Sequence, residues 1–243
     1  MVLSHMDLEE IAAAVMRDFW EFCYPMPPLR RRGSLATPIE RFAVEYLGLE
    51  VSYARLSADG SICGLTAYVD TKYEVVERGQ LQCIPLKRNQ VLLDSRFIQQ
   101  GQIRRQNGRR RFTLAHECAH QILFQLEVEE QKAACRQSYS ARKSYSLQEL
   151  KTREDWNEWQ ANVLGSAILM PQREVVQAVR ELNRGRPLKN YEGWSTHSDG
   201  LILTKLCRLF EVSRSALLIR LKWLGCVEDL PYAAYNDPME VWA

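Results

Sequence analysis

Two histidines and a glutamate in the segment FTLAHECAHQILF carry the clearest chemistry in this sequence of 243 residues. His116 and His120 are four residues apart, so on a helix their side chains lie about 40° apart in azimuth and about 6 Å apart along the axis. Two imidazoles in that arrangement can share one metal ion, and Glu117 can reach a water held by that ion. In this HExxH pattern the histidines bind zinc and the glutamate is a general base.

The apolar character of the rest of the segment decides between a metal site and a chance arrangement. Two core histidines and a glutamate could occur in an ordinary buried helix. An ionised carboxylate on an apolar helix, however, is costly to bury without a charged partner. A zinc ion supplies that partner, so the sequence favours a zinc site over chance.

A zinc site of this kind needs a third protein ligand, which the same helix does not supply. The metzincin arrangement would place a glycine and a histidine at the positions of Leu123 and Leu126. The only histidine further downstream, His197, lies in a segment predicted to be a polar loop. The third ligand is therefore expected to be a carboxylate on a second helix.

The segment EDWNEWQANVLGSAILMP, residues 154–171, provides that second helix. Glu158 lies on the same helical face as Asn162, and the small Gly165 allows another helix to approach closely. Glu154 and Asp155 are the alternatives, but they lie nearer the helix start, where acidic residues are common. Glu158 is the predicted third ligand.

The elements that hold these side chains follow from hydrophobic spacing and turn residues. Residues 8–22 have the spacing of an amphipathic helix, and a second helix is predicted between Pro38 and Gly48. Short strand patterns occupy residues 49–97. Helices, then a small antiparallel sheet, then the HExxH helix and further helices predict an α+β fold.

The predicted domain organisation has three parts. Residues 1–35 form an N-terminal helix and linker, residues 36–185 form the domain that contains both motifs, and residues 186–243 form a C-terminal helical segment. Within that segment, Leu201–Phe210 and Ser213–Leu224 are predicted to be short helices.

Composition excludes several classes of protein. Apolar residues make up 46% and charged residues 26%, which is ordinary for a chain that buries a core. With 32 basic and 30 acidic side chains the net charge is +2, so no broad polyanion-binding surface is indicated. The seven cysteines are odd in number and form no CxxC pair, which is typical of reduced cytosolic thiols. The sequence has no signal pattern and no membrane-spanning apolar run, so a cytoplasmic protein is predicted.

Both motifs together resemble the ImmA/IrrE family of metallo-endopeptidases. The matching segments are RRRFTLAHECAHQILF and EWQANVLGSAILMP, in the family's order. The resemblance implies that His116, His120 and Glu158 bind Zn²⁺, and that Glu117 is the general base. It also implies that Asn162 orients a ligating histidine from the second shell. This chain departs from the family pattern only at positions that are not proposed ligands: Ala119, Gln160, Leu164 and Gly165.

The implied reaction is metal-assisted peptide hydrolysis, and two parts of its site remain open in the sequence. A donor to the oxyanion is desirable, and Tyr139, Tyr145 and His197 are the candidates. The strand Val91–Asp94 is predicted at a sheet edge, where it either aligns an extended substrate or is an ordinary edge.

A rival signal lies in LTKLCRLFEVSRSALLIRLKWLG, residues 203–225, which resembles a helix-turn-helix with Ser213 as the cap of its second helix. Its basic side chains suit DNA. Arg220 and Lys222, however, point about 160° apart on a helix, and a leucine stripe follows the same helix. A structural or substrate-docking helical pair is therefore favoured over direct DNA reading. The basic runs LRRR and RRQNGRRR are predicted to be solvated loops, and the alternative for RRQNGRRR is contact with the HExxH helix or with a nucleic-acid-bound partner.

The leading interpretation is a zinc endopeptidase whose protein substrate is a helix-turn-helix transcriptional repressor, as the resemblance implies. Cleavage of that repressor would relieve repression of mobile elements or stress genes. The alternative is a zinc-binding or DNA-binding transcriptional regulator without proteolysis.

Overall fold

The architecture is α+β, as predicted. The structure is a computed structural model, and it describes residues 2–24, 34–77, 80–127 and 153–236. None of the helices in these ranges is long and apolar enough to cross a membrane.

The chain divides into two compact units. They comprise Met1–Pro27 with Pro38–Leu169, and Pro28–Thr37 with Met170–Ala243. The three-part domain division at residues 35 and 185 stays a prediction.

Two N-terminal helices open the first unit, close to their predicted positions. Helix α1, His5–Cys23, begins at a capping box in which Ser4 and Asp7 exchange hydrogen bonds. Helix α2, Ile39–Arg41, follows Pro38 and continues as a π-helical turn, Phe42–Tyr46. The aromatic rings of Phe19 and Phe42 pack edge to face at 5.2 Å, which joins α1 to this turn.

A three-stranded sheet lies next in the chain and is mixed rather than purely antiparallel. Its strands β1 (Glu50–Ala54), β2 (Gly64–Thr66) and β5 (Gln90–Asp94) lie in the order β1–β5–β2. Strand β5 pairs with β1 in parallel and with β2 in antiparallel orientation. The prediction that Val91–Asp94 forms a sheet edge is therefore wrong, because β5 is the central strand. The edge strand opposite β1 is β2.

A hairpin of β3 (Thr71–Glu77) and β4 (Gln80–Leu86) packs on one face of the sheet. Side chains alternate across a strand, so Leu65 and its cross-strand partner Leu92 face this hairpin together. They join a buried apolar cluster with Leu56, Ala67, Tyr73, Val75 and Leu86. The other face of the sheet, on which Gly64 and Thr66 lie, is left for the HExxH helix.

That helix is α3, Ile103–Leu126, and it is longer than predicted. The basic run RRQNGRRR lies within it rather than in a loop. Arg110 pairs with Glu40 of α2, and Arg111 is only 4% exposed with a guanidinium nitrogen 3.8 Å from the same carboxylate. These two arginines therefore fasten α3 to α2, while Arg104, Arg105 and Arg109 of the same run are exposed on the helix.

Helix α4, Arg153–Leu169, packs along α3, and α1 packs on α4 in turn. The contact between α3 and α4 is closest at Gly165. A Cβ placed there would lie 3.0 Å from the backbone nitrogen of His116 and 3.1 Å from the carbonyl of Ala115. Only glycine allows this separation, so Gly165 sets how near α4 comes to the HExxH residues.

The second unit contains the predicted helical pair and elements that the sequence did not predict. Helices α6 (His197–Phe210) and α7 (Arg214–Trp223) are joined by a turn in which Glu211 is left-handed, and Ser213 caps α7. The elements not predicted are helix α5 (Gln172–Leu182) and the parallel strands β6 (Leu188–Tyr191) and β7 (Val227–Leu230).

Candidate metal centre

The HExxH residues lie in the buried part of α3. His116 is 1%, Glu117 2% and His120 4% exposed. The two Nε2 atoms of the histidines lie 3.0 Å apart, so the four-residue spacing brings both imidazoles to one point as predicted.

Helix α4 brings the Glu158 carboxylate to the same point. Oε2 of Glu158 lies 3.3 Å from Nε2 of His116, and Oε1 lies 3.2 Å from Nε2 of His120. Among the described residues, these three side chains form the group of His, Cys, Asp or Glu residues that could hold a metal ion. Neither Asp155, the described alternative on α4, nor Cys118 belongs to this group.

The electrostatics of this group favour an ionised carboxylate. Burial alone would raise the pKa of Glu158, but the hydrogen bonds and charges of His116 and His120 hold the pKa of this carboxyl well below its usual range. A buried carboxylate that stays charged beside two imidazoles is suited to bind a cation.

Comparison with known proteins agrees with this geometry. Residues 104–222 match the M78 peptidase family, described as an IrrE N-terminal-like domain. Residues 104–222 therefore form a domain of the M78 (ImmA/IrrE) family. No curated protein matches the sequence. The match of this domain indicates a function of the metallopeptidase type, with a protein substrate.

Glu117 of this M78 domain lies against strand β2, which the sequence did not predict. A Cβ placed at Gly64 would lie 2.8 Å from Oε1 of Glu117 and 2.5 Å from the methyl carbon of Thr113. The backbone of β2 therefore comes as close to the glutamate as a residue without a side chain permits.

Two polar contacts at the ends of β2 were also missed. Nη2 of Arg109 donates a hydrogen bond to Sγ of Cys63 at 2.9 Å. Nε2 of Gln121 donates to Oγ1 of Thr66 at 2.6 Å. The sequence did contain a signal for them, because Arg109, Thr113, Glu117 and Gln121 recur at every fourth residue of one helix.

The other predicted residues are placed as follows. Asn162 is half-buried, one turn beyond Glu158 on α4, and its role towards the histidines stays a prediction. His197 is the first residue of α6 in the second unit, not part of a loop. Tyr139, Tyr145 and the LRRR run lie outside the described residues.

Proposed function

We propose that this protein is a zinc-dependent endopeptidase that hydrolyses a peptide bond in a partner protein. The separation of the donor groups carries the proposal. A tetrahedral ion bound at 2.0–2.1 Å requires its ligand atoms to lie about 3.3–3.4 Å apart. The two Nε2 atoms lie 3.0 Å apart, and an oxygen of the Glu158 carboxylate lies 3.3 Å from that of His116 and the other oxygen 3.2 Å from that of His120, which is close to that spacing.

The donor set also fits the ion chemically. Two imidazoles and one carboxylate are the ligands of catalytic zinc in one established class of zinc peptidase, which leaves one coordination position open. The ion would be held by His116, His120 and Glu158. We propose that Asn162 orients one of the two histidines. Zinc in this position would supply Lewis acidity, polarising a carbonyl and acidifying water.

Glu117 is the proposed proton carrier. It lies on α3 between the two histidines but is not one of the three clustered donors. Its carboxylate can take a proton from the attacking water and pass it to the leaving nitrogen of the peptide. The close approach of Gly64 holds this carboxylate near the edge of the sheet.

Strand β2 is a suitable edge for an extended peptide. The carbonyl of Cys63 accepts from the backbone nitrogen of Asp94, and the nitrogen of Ala67 donates to the carbonyl of Gln90, both at 2.9 Å. Alternation then directs the backbone groups of Gly64 and Thr66 to the opposite edge. Within the described sheet no strand pairs with that edge. A substrate can add there as a further strand, next to Gly64, which lies against Glu117.

The role of Gly64 yields a prediction about activity. We expect Gly64→Ala to lower the rate of peptide cleavage by about 10- to 100-fold, because the new methyl group must displace Glu117 or the strand. Gly200→Ala is the matched control, since a Cβ at Gly200 meets nothing within 4 Å. Cleavage of a fluorescence-quenched peptide and the melting temperature are measured for both variants. Wild-type cleavage by a folded Gly64→Ala protein would contradict the close contact.

For the substrate we propose a transcriptional repressor of the helix-turn-helix type, cut in an exposed linker. A single site beside a strand edge with which no strand of the described sheet pairs suits an extended segment, because a folded domain cannot present extended backbone without unfolding. Separation of the DNA-binding part of a repressor from its oligomerisation part would lower its affinity for its operator and relieve repression.

The contacts of the helical pair favour this function over DNA reading. Arg220 is 2% exposed, and its Nε donates to the carbonyl of Met170 at 3.0 Å. Nζ of Lys222 forms an ion pair with Asp229 at 2.8 Å. Both side chains thus have partners within the second unit, and Leu217 and Leu221 are buried. We therefore infer that α7 is chiefly a structural helix.

Incubation with repressors encoded near the gene, followed by intact-mass analysis, tests the proposed substrate. We expect one or a few cuts, all within a linker, and loss of operator binding by the cut repressor. Uniform digestion of unrelated denatured proteins, with the repressors intact, would contradict the proposal.

A further inference from the structure

One face of α3 lies along the whole length of the short strand β2. Arg109, Thr113, Glu117 and Gln121 recur at intervals of four residues on this face. Arg109 contacts Cys63 just before the strand, and Thr113 and Glu117 both lie against Gly64. Gln121 contacts the last residue of the strand, Thr66, and the residue after it, Ala67. The proposed general base thus lies between two polar anchors.

The Gln121 anchor is buried and holds the strand at two atoms. Gln121 is 2% and Thr66 1% exposed. The amide nitrogen of Gln121 donates to Oγ1 of Thr66 at 2.6 Å and to the carbonyl oxygen of Ala67 at 3.2 Å. Burying an amide and a hydroxyl costs free energy unless each finds a partner. An apolar pair would fill this space without that requirement, but it would not specify which residues of α3 and β2 lie opposite each other.

The hydrogen bonds of Gln121 hold β2 beside the close contact between Gly64 and Glu117. Gly64 lies two residues before Thr66, and its backbone is separated from the Glu117 carboxylate by less than a methyl group requires. A small shift of β2 therefore changes the distance between a peptide bound at this edge and the carboxylate. Misplacement by about 1 Å can cost a factor of about 100 in rate.

We infer that Gln121 is a positioning residue, whose amide ties β2 to α3 and thereby sets the position of the β2 edge, along which the scissile peptide would lie, relative to Glu117. The inference rests on the proposed endopeptidase function. The side-chain amide of Gln121 donates to Thr66 and Ala67 of the strand region. It acts through the strand, so its loss alters the alignment of a bound peptide more than its binding.

Kinetics of Gln121→Leu and Thr66→Val test the inference, since both variants keep the approximate shape and remove the hydrogen bond. The probe is the best-cleaved member of a fluorescence-quenched octapeptide library. We expect kcat to fall by about 10- to 100-fold, while KM stays within a factor of about three and zinc content is unchanged. The double variant should lose little more than Gln121→Leu alone, because Gln121→Leu already removes the hydrogen bond to Thr66 together with the one to Ala67. Thr66→Ser, which keeps the hydroxyl, should restore most of kcat.

Gln160→Leu is the matched control for the loss of a buried glutamine. Gln160 is 2% exposed on α4 and accepts a hydrogen bond from the backbone nitrogen of Leu3 at 2.8 Å, away from β2. It should lower the melting temperature without lowering kcat. A wild-type kcat in Gln121→Leu, or an equal fall in Gln160→Leu, overturns the inference.

Hydrogen exchange of the backbone amide of Ala67 separates this inference from the proposed function. If the side-chain amide of Gln121 holds the strand, the backbone amide of Ala67 exchanges faster in Gln121→Leu and in Thr66→Val, whatever the catalytic activity. Unchanged exchange in both variants overturns the anchor. A wild-type protein that cleaves no member of the library contradicts the proposed function, and the anchor is then decided by exchange alone.

Discussion

Glu117→Gln is expected to keep its zinc and to lose hydrolysis, with kcat lower by about 10²- to 10⁴-fold. An amide has nearly the size of the carboxylate, so it still fits against Gly64 and the helix, but it cannot accept a proton from water. Zinc content by elemental analysis and cleavage of the repressor by intact mass are measured on the same preparation.

Glu228→Gln is the control, because Glu228 is an exposed glutamate of β7 in the second unit. It should retain wild-type zinc and activity. If Glu117→Gln still cleaves at the wild-type rate, Glu117 is not the general base. If the wild-type protein binds the repressor or an operator but leaves every protein intact, the non-proteolytic regulator becomes the better account.

Glu158→Ala is expected to weaken zinc binding by at least about 100-fold, since loss of a supporting outer-shell group alone costs 10- to 100-fold. The substitution removes the carboxylate that lies within 3.3 Å of both imidazoles and leaves two histidines for the ion. Competition with a zinc-binding dye measures the affinity.

Asp155→Ala provides the matched control on the same helix. It removes a carboxylate three residues earlier that is not part of the donor group. Its zinc affinity should equal that of the wild type. Undiminished affinity in Glu158→Ala would show that a different residue completes the site.

The donor group could be predicted from sequence because local geometry determines most of it. Residues four apart lie on the same face of any α-helix, so the spacing of His116 and His120 brings the two side chains together whatever surrounds the helix. Glu158 needed a further argument, that small residues allow α4 to approach α3, and the closeness of Gly165 to the backbone of His116 confirms that approach.

The environment of Glu117 could not be predicted in the same way, because it depends on pairing between distant segments. Residues 50–54 pair in parallel with β5 and so place it in the centre of the sheet, and hydrophobic periodicity does not reveal strand order. Only then does β2 become the edge that meets Glu117. The basic run before the HExxH residues was also misjudged, since its charge suggested a loop while its partner, Glu40, lies about 70 residues earlier in the chain.

The central claim is that one zinc ion is held by His116, His120 and Glu158 together. Diffraction from crystals of the purified protein, recorded on both sides of the zinc absorption edge, tests it directly. We expect a single anomalous peak within about 2.0–2.2 Å of Nε2 of both histidines and of one oxygen of Glu158. A peak elsewhere in the protein, or one bound by the histidines with Glu158 turned away, would contradict the claim.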